Sequence, residues 1–358
     1  MLEKNKQEAS NISNSNLQQA NGNIYNLGFS YSDVKEICRD VIRQEFQIVT
    51  KDAVDKLNKL IEEFQNRLIE RIAEINNQEA IGKFKEPRYQ FVLHDAIKEY
   101  AQTDNEETKE DLVDILIDRL QVDENSTERF VVEDAIKIIP KLSFALTRFL
   151  GSILMRRMEE RNLPFIFRNN LNEQAKIYEH LDEISNLDIA YLFQLNCCEQ
   201  MRGFRHMVTI EEEMKQRYDL FFREPTSAEE YNKYVVSHPI MATGINGISF
   251  VCTDGANTDK CRMTSLSTLH LKDSLQNAGR MDIWPELEAY INTLRPYSDE
   301  EIKNLLIEIN PNWGKIIDLF HQENIQNLQL TPVGTYIANR VIQKEKMRVA
   351  KATLKELF

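Results

Sequence analysis

The stretch Lys51–Ile75, KDAVDKLNKLIEEFQNRLIERIAEI, decides the fold class. Its apolar residues Val54, Leu57, Ile61, Phe64, Leu68 and Ile75 recur three and four positions apart, with charged residues between them. That is the period of a helix with one apolar stripe; a strand would alternate every second residue. Arg71 occupies a position where the stripe expects another apolar residue. A run of about three heptads either packs on its own lobe or forms a seam with a second chain.

Upstream, Ser32 or Asp33 offers a helix cap, and Val34, Ile37, Cys38, Val41, Ile42 and Phe46 fall on one helical face. In front of these lies Asn11–Asn26, NISNSNLQQANGNIYN, rich in Asn and Gln and without charge. Such a segment buries too little apolar surface to order itself, yet Ile12, Leu17, Ile24 and Tyr25 punctuate it. It is expected to order by pairing with another copy. The oligomerisation residues expected are therefore Ile12, Leu17, Ile24, Tyr25, Val54, Leu57, Ile61, Phe64 and Leu68.

Downstream, Gly82 to Pro87 breaks the pattern, and helix resumes from Arg88 to Tyr100. Glu99–Lys137 holds thirteen acidic against four basic residues, so an acidic exposed face is expected there, either solvated or docking a basic partner. Leu142–Met158 reads as an apolar core helix. Two short extended runs, Ile248–Cys252 and Cys261–Leu266, flank the polar turn Thr253–Asp259 and predict a β-hairpin. Ser298 and Glu301 have capping-box spacing. Leu328–Ala338 predicts a short strand, Thr331 as cap, Pro332 at the first helical position, and a helix running to Leu357. The fold class is thus mainly α: multi-helix bundle lobes with a small β-hairpin and an extended polar N-terminal leader. The expected divisions are 1–29, 30–161, 162–297 and 298–358.

The chain has 358 residues, long enough for two or three lobes, and a formal charge of −13 that opposes nucleic-acid binding. The longest apolar run, Leu150–Met155, is far short of the roughly 20 residues a membrane-spanning helix needs. With no basic-then-apolar opening, a cytoplasmic location is expected. The five cysteines are irregularly spaced, as reduced thiols are.

Candidate chemistry is sparse. Cys197, Cys198, Cys252 and Cys261 are soft metal ligands by type, but their spacings do not match structural zinc sites, and buried small hydrophobes are the ordinary role. A cysteine with His238 or His270 would need a positioned base that spacing does not reveal. Arg202 and His206 resemble the close Arg/His pairs of RNA-cleaving helical domains, with a gap one residue too short. Glu133, Asp134 and Lys137 resemble part of a nuclease cluster, yet read as helix. Phosphate-loop, zinc-protease and serine-elbow motifs do not occur. No cofactor is expected. Leu330–Ala338 also resembles the entry to the last helix of winged-helix domains, and Asn339–Leu357 after it carries six basic and two acidic residues.

Two separated stretches, QQANGNI (18–24) followed by YSDVKEICRDV (31–41), and LTPVGTYIA (330–338), resemble the opening and closing motifs of an uncharacterised bacterial protein family known mainly by locus-tag labels. Asn21 and Asn23 stand where the fuller leader form has a glycine and an aspartate. The resemblance implies a bacterial cytosolic protein and supplies no catalytic residues. Similar leaders precede diverse proteins of phage-defence systems, which implies such a role here by analogy. The expected function is a self-assembling interaction protein, a sensor or adaptor in antiphage defence, forming homo-oligomers and binding a protein partner. The rivals are a nuclease-type toxic effector using Arg202 and His206, and a DNA-binding regulator acting through the C-terminal element.

Overall fold

The computed structural model describes residues 36–40, 51–74, 82–158, 160–177, 179, 181, 184–201, 208–254 and 257–344. The protein is mainly α with a few short antiparallel strands, as expected. The leader with Ile12, Leu17, Ile24 and Tyr25 lies outside the described residues, as do Ser32 and Asp33.

The first helices are α1 (Lys51–Glu74), α2 (Pro87–Gln102), α3 (Glu106–Gln121), α4 (Glu128–Ile138) and α5 (Phe144–Met155). Then come α6 (Pro164–Lys176), α7 (Asn186–Gln194), β1 (Cys198–Gln200), α8 (Ile210–Arg217), β2 (Thr226–Ser227) and α9 (Ala228–Ser237). The hairpin strands β3 (Val251–Asp254) and β4 (Asn257–Met263) precede α10 (Thr268–Asn277) and α11 (Trp284–Thr293). The chain closes through α12 (Asp299–Ile309), α13 (Asn312–Phe320), α14 (Glu323–Gln326), β5 (Leu328–Leu330) and α15 (Pro332–Lys344).

The apolar stripe of α1 is covered by its own chain. Leu57, Ile61, Phe64, Leu68 and Ile72 are buried against α2 and α3, and the Phe64 ring meets the Tyr100 edge at 5.1 Å. Each such side chain contributes about 1.5–3 kcal/mol of transfer free energy. Having entered the core, Leu57, Ile61, Phe64 and Leu68 retain almost no surface to offer a second chain. The spacing that reads as a seam is satisfied inside one lobe.

Local chemistry sets the helix starts. Asn105 Oδ1 accepts from Glu107 N and Thr108 N at 2.9 and 3.2 Å, which opens α3. Ser185–Asp188, Thr209–Glu212, Ser227–Glu230 and Ser298–Glu301 close reciprocal capping boxes at α7, α8, α9 and α12. Each cap is worth about 0.5–2 kcal/mol. Pro87 and Pro332 stand at first helical positions, where the missing N–H costs nothing.

Among the described residues, buried apolar side chains form two cores. The larger gathers Cys38 to Phe222, then Leu266, and then Ile302 to Ile342; the smaller gathers Leu220 to Ile291. The expected division at 161/162 falls inside the larger core, because Phe167 and Leu171 of α6 pack there. Nor do residues 298–344 stand apart. Helix α15 lies along α5 and α4, with Val333 to Arg340 buried, and its start rests on Cys197, just before β1. A β-carbon at Gly334 would fall 1.9 Å from the Cys197 carbonyl oxygen, so this approach requires glycine. Strand β5 pairs antiparallel with β1, Cys198 opposite Leu330, and Thr331 N donates to Cys197 O at 3.1 Å.

In the smaller core, β4 is the middle strand of a three-stranded sheet between β2 and β3. The expected hairpin is present with shifted strands. Asn246 and Gly247 both take positive φ, 51° and 80°, and make a two-residue turn closed by reciprocal Ile245 and Ile248 hydrogen bonds of 3.0 and 2.9 Å. That turn removes Ile248 from the strand, so β3 begins at Val251.

Candidate functional site

The acidic helix is clasped by the chain's own cations, which corrects the expectation of an open acidic face. On one side of α3, Glu106, Glu110 and Asp114 meet α1: Arg67 lies 2.7 Å from Glu106 and 2.9 Å from Glu110, and Arg71 lies 2.9 Å from Asp114. On the other side, Arg340 of α15 lies 2.8 Å from both Asp114 and Asp118 and 3.5 Å from Asp111. Lys344 lies 2.6 Å from Asp111, and Tyr336 Oη donates to Asp118. Spacings of three and four residues put both rows of carboxylates within reach of neighbouring helices. Burial pulls the Arg340 guanidinium down, and Tyr336 and the surrounding aspartates more than reverse this, so it is firmly charged. Arg71, the apparent flaw in the α1 stripe, is a rung of this ladder.

The same contacts bear on the winged-helix-like element. In α15, Arg340 and Lys344 are occupied by aspartates and the neighbouring face is core, so this helix offers no groove-reading surface. The remaining basic residues of the tail lie outside the described residues.

The four cysteines do not converge. Cys197 and Cys198 sit at and beside β1, whereas Cys252 and Cys261 lie on β3 and β4 of the other sheet. Among the described residues, no group of three or more His, Cys, Asp or Glu side chains could hold a metal. Burial pushes the Cys197 thiol up to about 12 and raises Cys198, Cys252 and Cys261 as well, the reverse of an activated thiolate. Arg202 and His206 lie outside the described residues. The His238 ring stacks on Tyr234 with centroids 4.1 Å apart, and its Nδ1 lies 3.0 Å from Tyr234 O. Glu133 accepts from Arg119 at 2.8 Å, and Lys137 pairs with Asp95 at 3.6 Å; both are ties between helices.

Two aromatic side chains stand out on the surface. Phe91 of α2 is 75% exposed and Phe130 of α4 is 56% exposed. Helices α2 and α4 run side by side, joined by Asp95–Lys137 at 3.6 Å, while Arg88 of α2 lies 3.9 Å from Glu124 in the turn before α4. Phe91 and Phe130 fall between those two ion pairs in sequence, on the outward side.

A cleft of about 330 Å³ opens where the two cores meet. One wall is Arg161, Asn162 and Leu163, the approach to α6; the other comes from the Asn246–Gly247 turn, the end of the hairpin and α10. Gly244 has φ 59°, and a β-carbon there would fall 2.1 Å from Ile248 O, so the turn depends on glycine at its entry. Behind Asn162, the buried Glu160 carboxylate accepts amide N–H groups from Asn162, Asn170 and Gln174 at 3.0, 2.5 and 2.7 Å. Burial outweighs these bonds and raises the Glu160 carboxyl above the usual range. Neither composition nor periodicity marks this cleft. The Asn-Gly pair between Ile245 and Ile248 was its available signal.

Fold and cleft together define a mainly α protein with two apolar cores, a polar cleft between them, and an internally neutralised acidic helix. A model of an uncharacterised protein family matches residues 28–356, and the chain belongs to that family. No curated protein and no solved structure matches the chain. Among the described residues, no helix is long and apolar enough to cross a membrane.

Proposed function

We propose that the protein is a self-assembling interaction protein whose polar leader joins copies and whose α2–α4 face takes a protein partner. The observation that carries this reading is the pair Phe91 and Phe130, exposed on neighbouring helices between two ion pairs. Large aromatics are enriched at protein contacts, and the ion pairs supply a polar rim. With Leu57, Ile61, Phe64 and Leu68 in the core, assembly falls to Ile12, Leu17, Ile24 and Tyr25. A sensor or adaptor role in bacterial antiphage defence is the finer form of the proposal and rests on the likeness of the leader.

Light scattering after size exclusion tests it on the full chain and on a chain starting at Ser30. A multimer for the first and a monomer for the second is the expected result. Equal masses would overturn the role of the leader. Full-length Phe91→Ser/Phe130→Ser is expected to keep its fold and the wild-type mass but to lose a partner captured by the wild type from its own host.

A further inference from the structure

We propose that the cleft between the two cores binds a small organic ammonium, an amine whose N–H groups meet Asp273 and whose carbon skeleton lies on the apolar wall. This inference is independent of how the chain assembles. It rests on where the hydrogens of the lining already point. Thr264 Oγ1 donates to Phe250 O at 3.1 Å, Ser265 Oγ to Ser267 O at 3.0 Å, and Ser274 Oγ to His270 O at 2.8 Å. Each hydroxyl has one hydrogen and two lone pairs, so these three retain acceptor capacity. Asn162 gives one Nδ2–H to Glu160, which leaves its carbonyl oxygen as an acceptor beside its second N–H.

Asp273 adds the charge. It lines the cleft half-buried, and its carboxylate has no hydrogen bond or ion pair with any described residue. That contrasts with α3, where carboxylates on both flanks have cations of the chain beside them. Arg161, also in the lining, is already engaged within the molecule. Acceptors and a carboxylate without a cation call for a ligand rich in donors and positively charged, while Leu163, Ile248 and Leu271 provide the apolar surface. The volume is at the small end of ligand sites, which favours a short amine over a nucleotide or a peptide.

Isothermal titration of the full chain with agmatine and with putrescine, against 1,4-butanediol and succinate at equal millimolar concentrations, tests the inference. The amines are expected to bind and the diol and diacid to stay silent. Asp273→Asn, with unchanged circular dichroism and melting temperature, is expected to weaken the amine by about tenfold or more, since the charge-assisted hydrogen bonds to the ammonium are lost. Silence from both amines would overturn the proposal. So would succinate binding in their place, or amine binding of equal strength in Asp273→Asn.

Discussion

The flanks of α3 and the cleft beside α10 both place carboxylates at meeting points of elements, and they treat them oppositely. On α3, Asp111, Asp114 and Asp118 surround Arg340, while Glu106 and Glu110 meet Arg67. In the cleft, Asp273 shares the lining with hydroxyl groups whose hydrogens are already committed. The lesson concerns what negative charge means in a sequence. An acidic run marks a partner surface only if the fold leaves it unanswered, and here the dense run is answered while a single acid far from it is not.

Removing the cation is the strongest way to break that comparison. Arg340→Met keeps the length and apolar stem but takes the shared cation from Asp111, Asp114 and Asp118, leaving them to Lys344, Arg71 and the Tyr336 hydroxyl. Breaking a fully buried pair from one side costs about 3–5 kcal/mol; with those partners kept and Asp118 39% exposed, the loss should be smaller, about 1.5–3 kcal/mol, the worth of hydrogen bonds to a charged group. Urea unfolding should show a lower midpoint with little change in slope, and adding Asp118→Asn should recover part of the loss. An unchanged midpoint for Arg340→Met would mean that the ladder holds nothing together.

Glu160→Ala probes the cleft side of the comparison and should cost about 1–3 kcal/mol, since three half-buried amides lose their acceptor. Acid should act oppositely on the two regions. Bonds from Arg119 hold Glu124 below its ordinary value near 4.5, and those from Lys109 and Arg67 do the same for Glu106. Their contribution is therefore present above pH 4.5 and is lost as pH falls through the lowered values. Glu160 has the reverse sign. Its raised carboxyl favours the protonated form in the fold, so that contribution is present below 4.5 and fades as pH rises through the raised value. Thermal melts at stepwise lower pH should show a falling melting temperature, and Glu124→Gln should flatten the fall while Glu160→Gln should not.

Much of this fold was legible, and the failures have identifiable causes. The Ser298–Glu301 box, Thr331 with Pro332, and the apolar helix from Leu142 were read correctly because each signal is local. The acidic stretch and the basic tail are both plain in the sequence, but their pairing spans more than 200 residues from Asp118 to Arg340, and no periodicity reports a contact at that distance. Both strands of the hairpin are shifted from their expected bounds: Asn246-Gly247 forms a turn of its own, so the first begins at Val251, and the second starts at Asn257, inside the expected polar turn. Cys197, Cys198, Cys252 and Cys261 looked alike by residue type and were separated by topology. The cleft was missed because its acceptors become visible only once each hydroxyl hydrogen has been assigned to a carbonyl.

The smallest effect gives the sharpest form of the comparison. Asp273→Asn should change stability by no more than about 0.5 kcal/mol, the range of a surface substitution that breaks no tie. Asp114→Asn, a change of the same chemistry, weakens rungs to both Arg71 and Arg340 and should lower the urea midpoint measurably. A carboxylate that supports the fold loses stability when neutralised, whereas one kept for a ligand loses only binding. If Asp273→Asn cost as much as Asp114→Asn, Asp273 would be a structural acid and the contrast between the two regions would vanish. If it cost nothing and the amine response disappeared with it, the carboxylate without a cation would be the functional one.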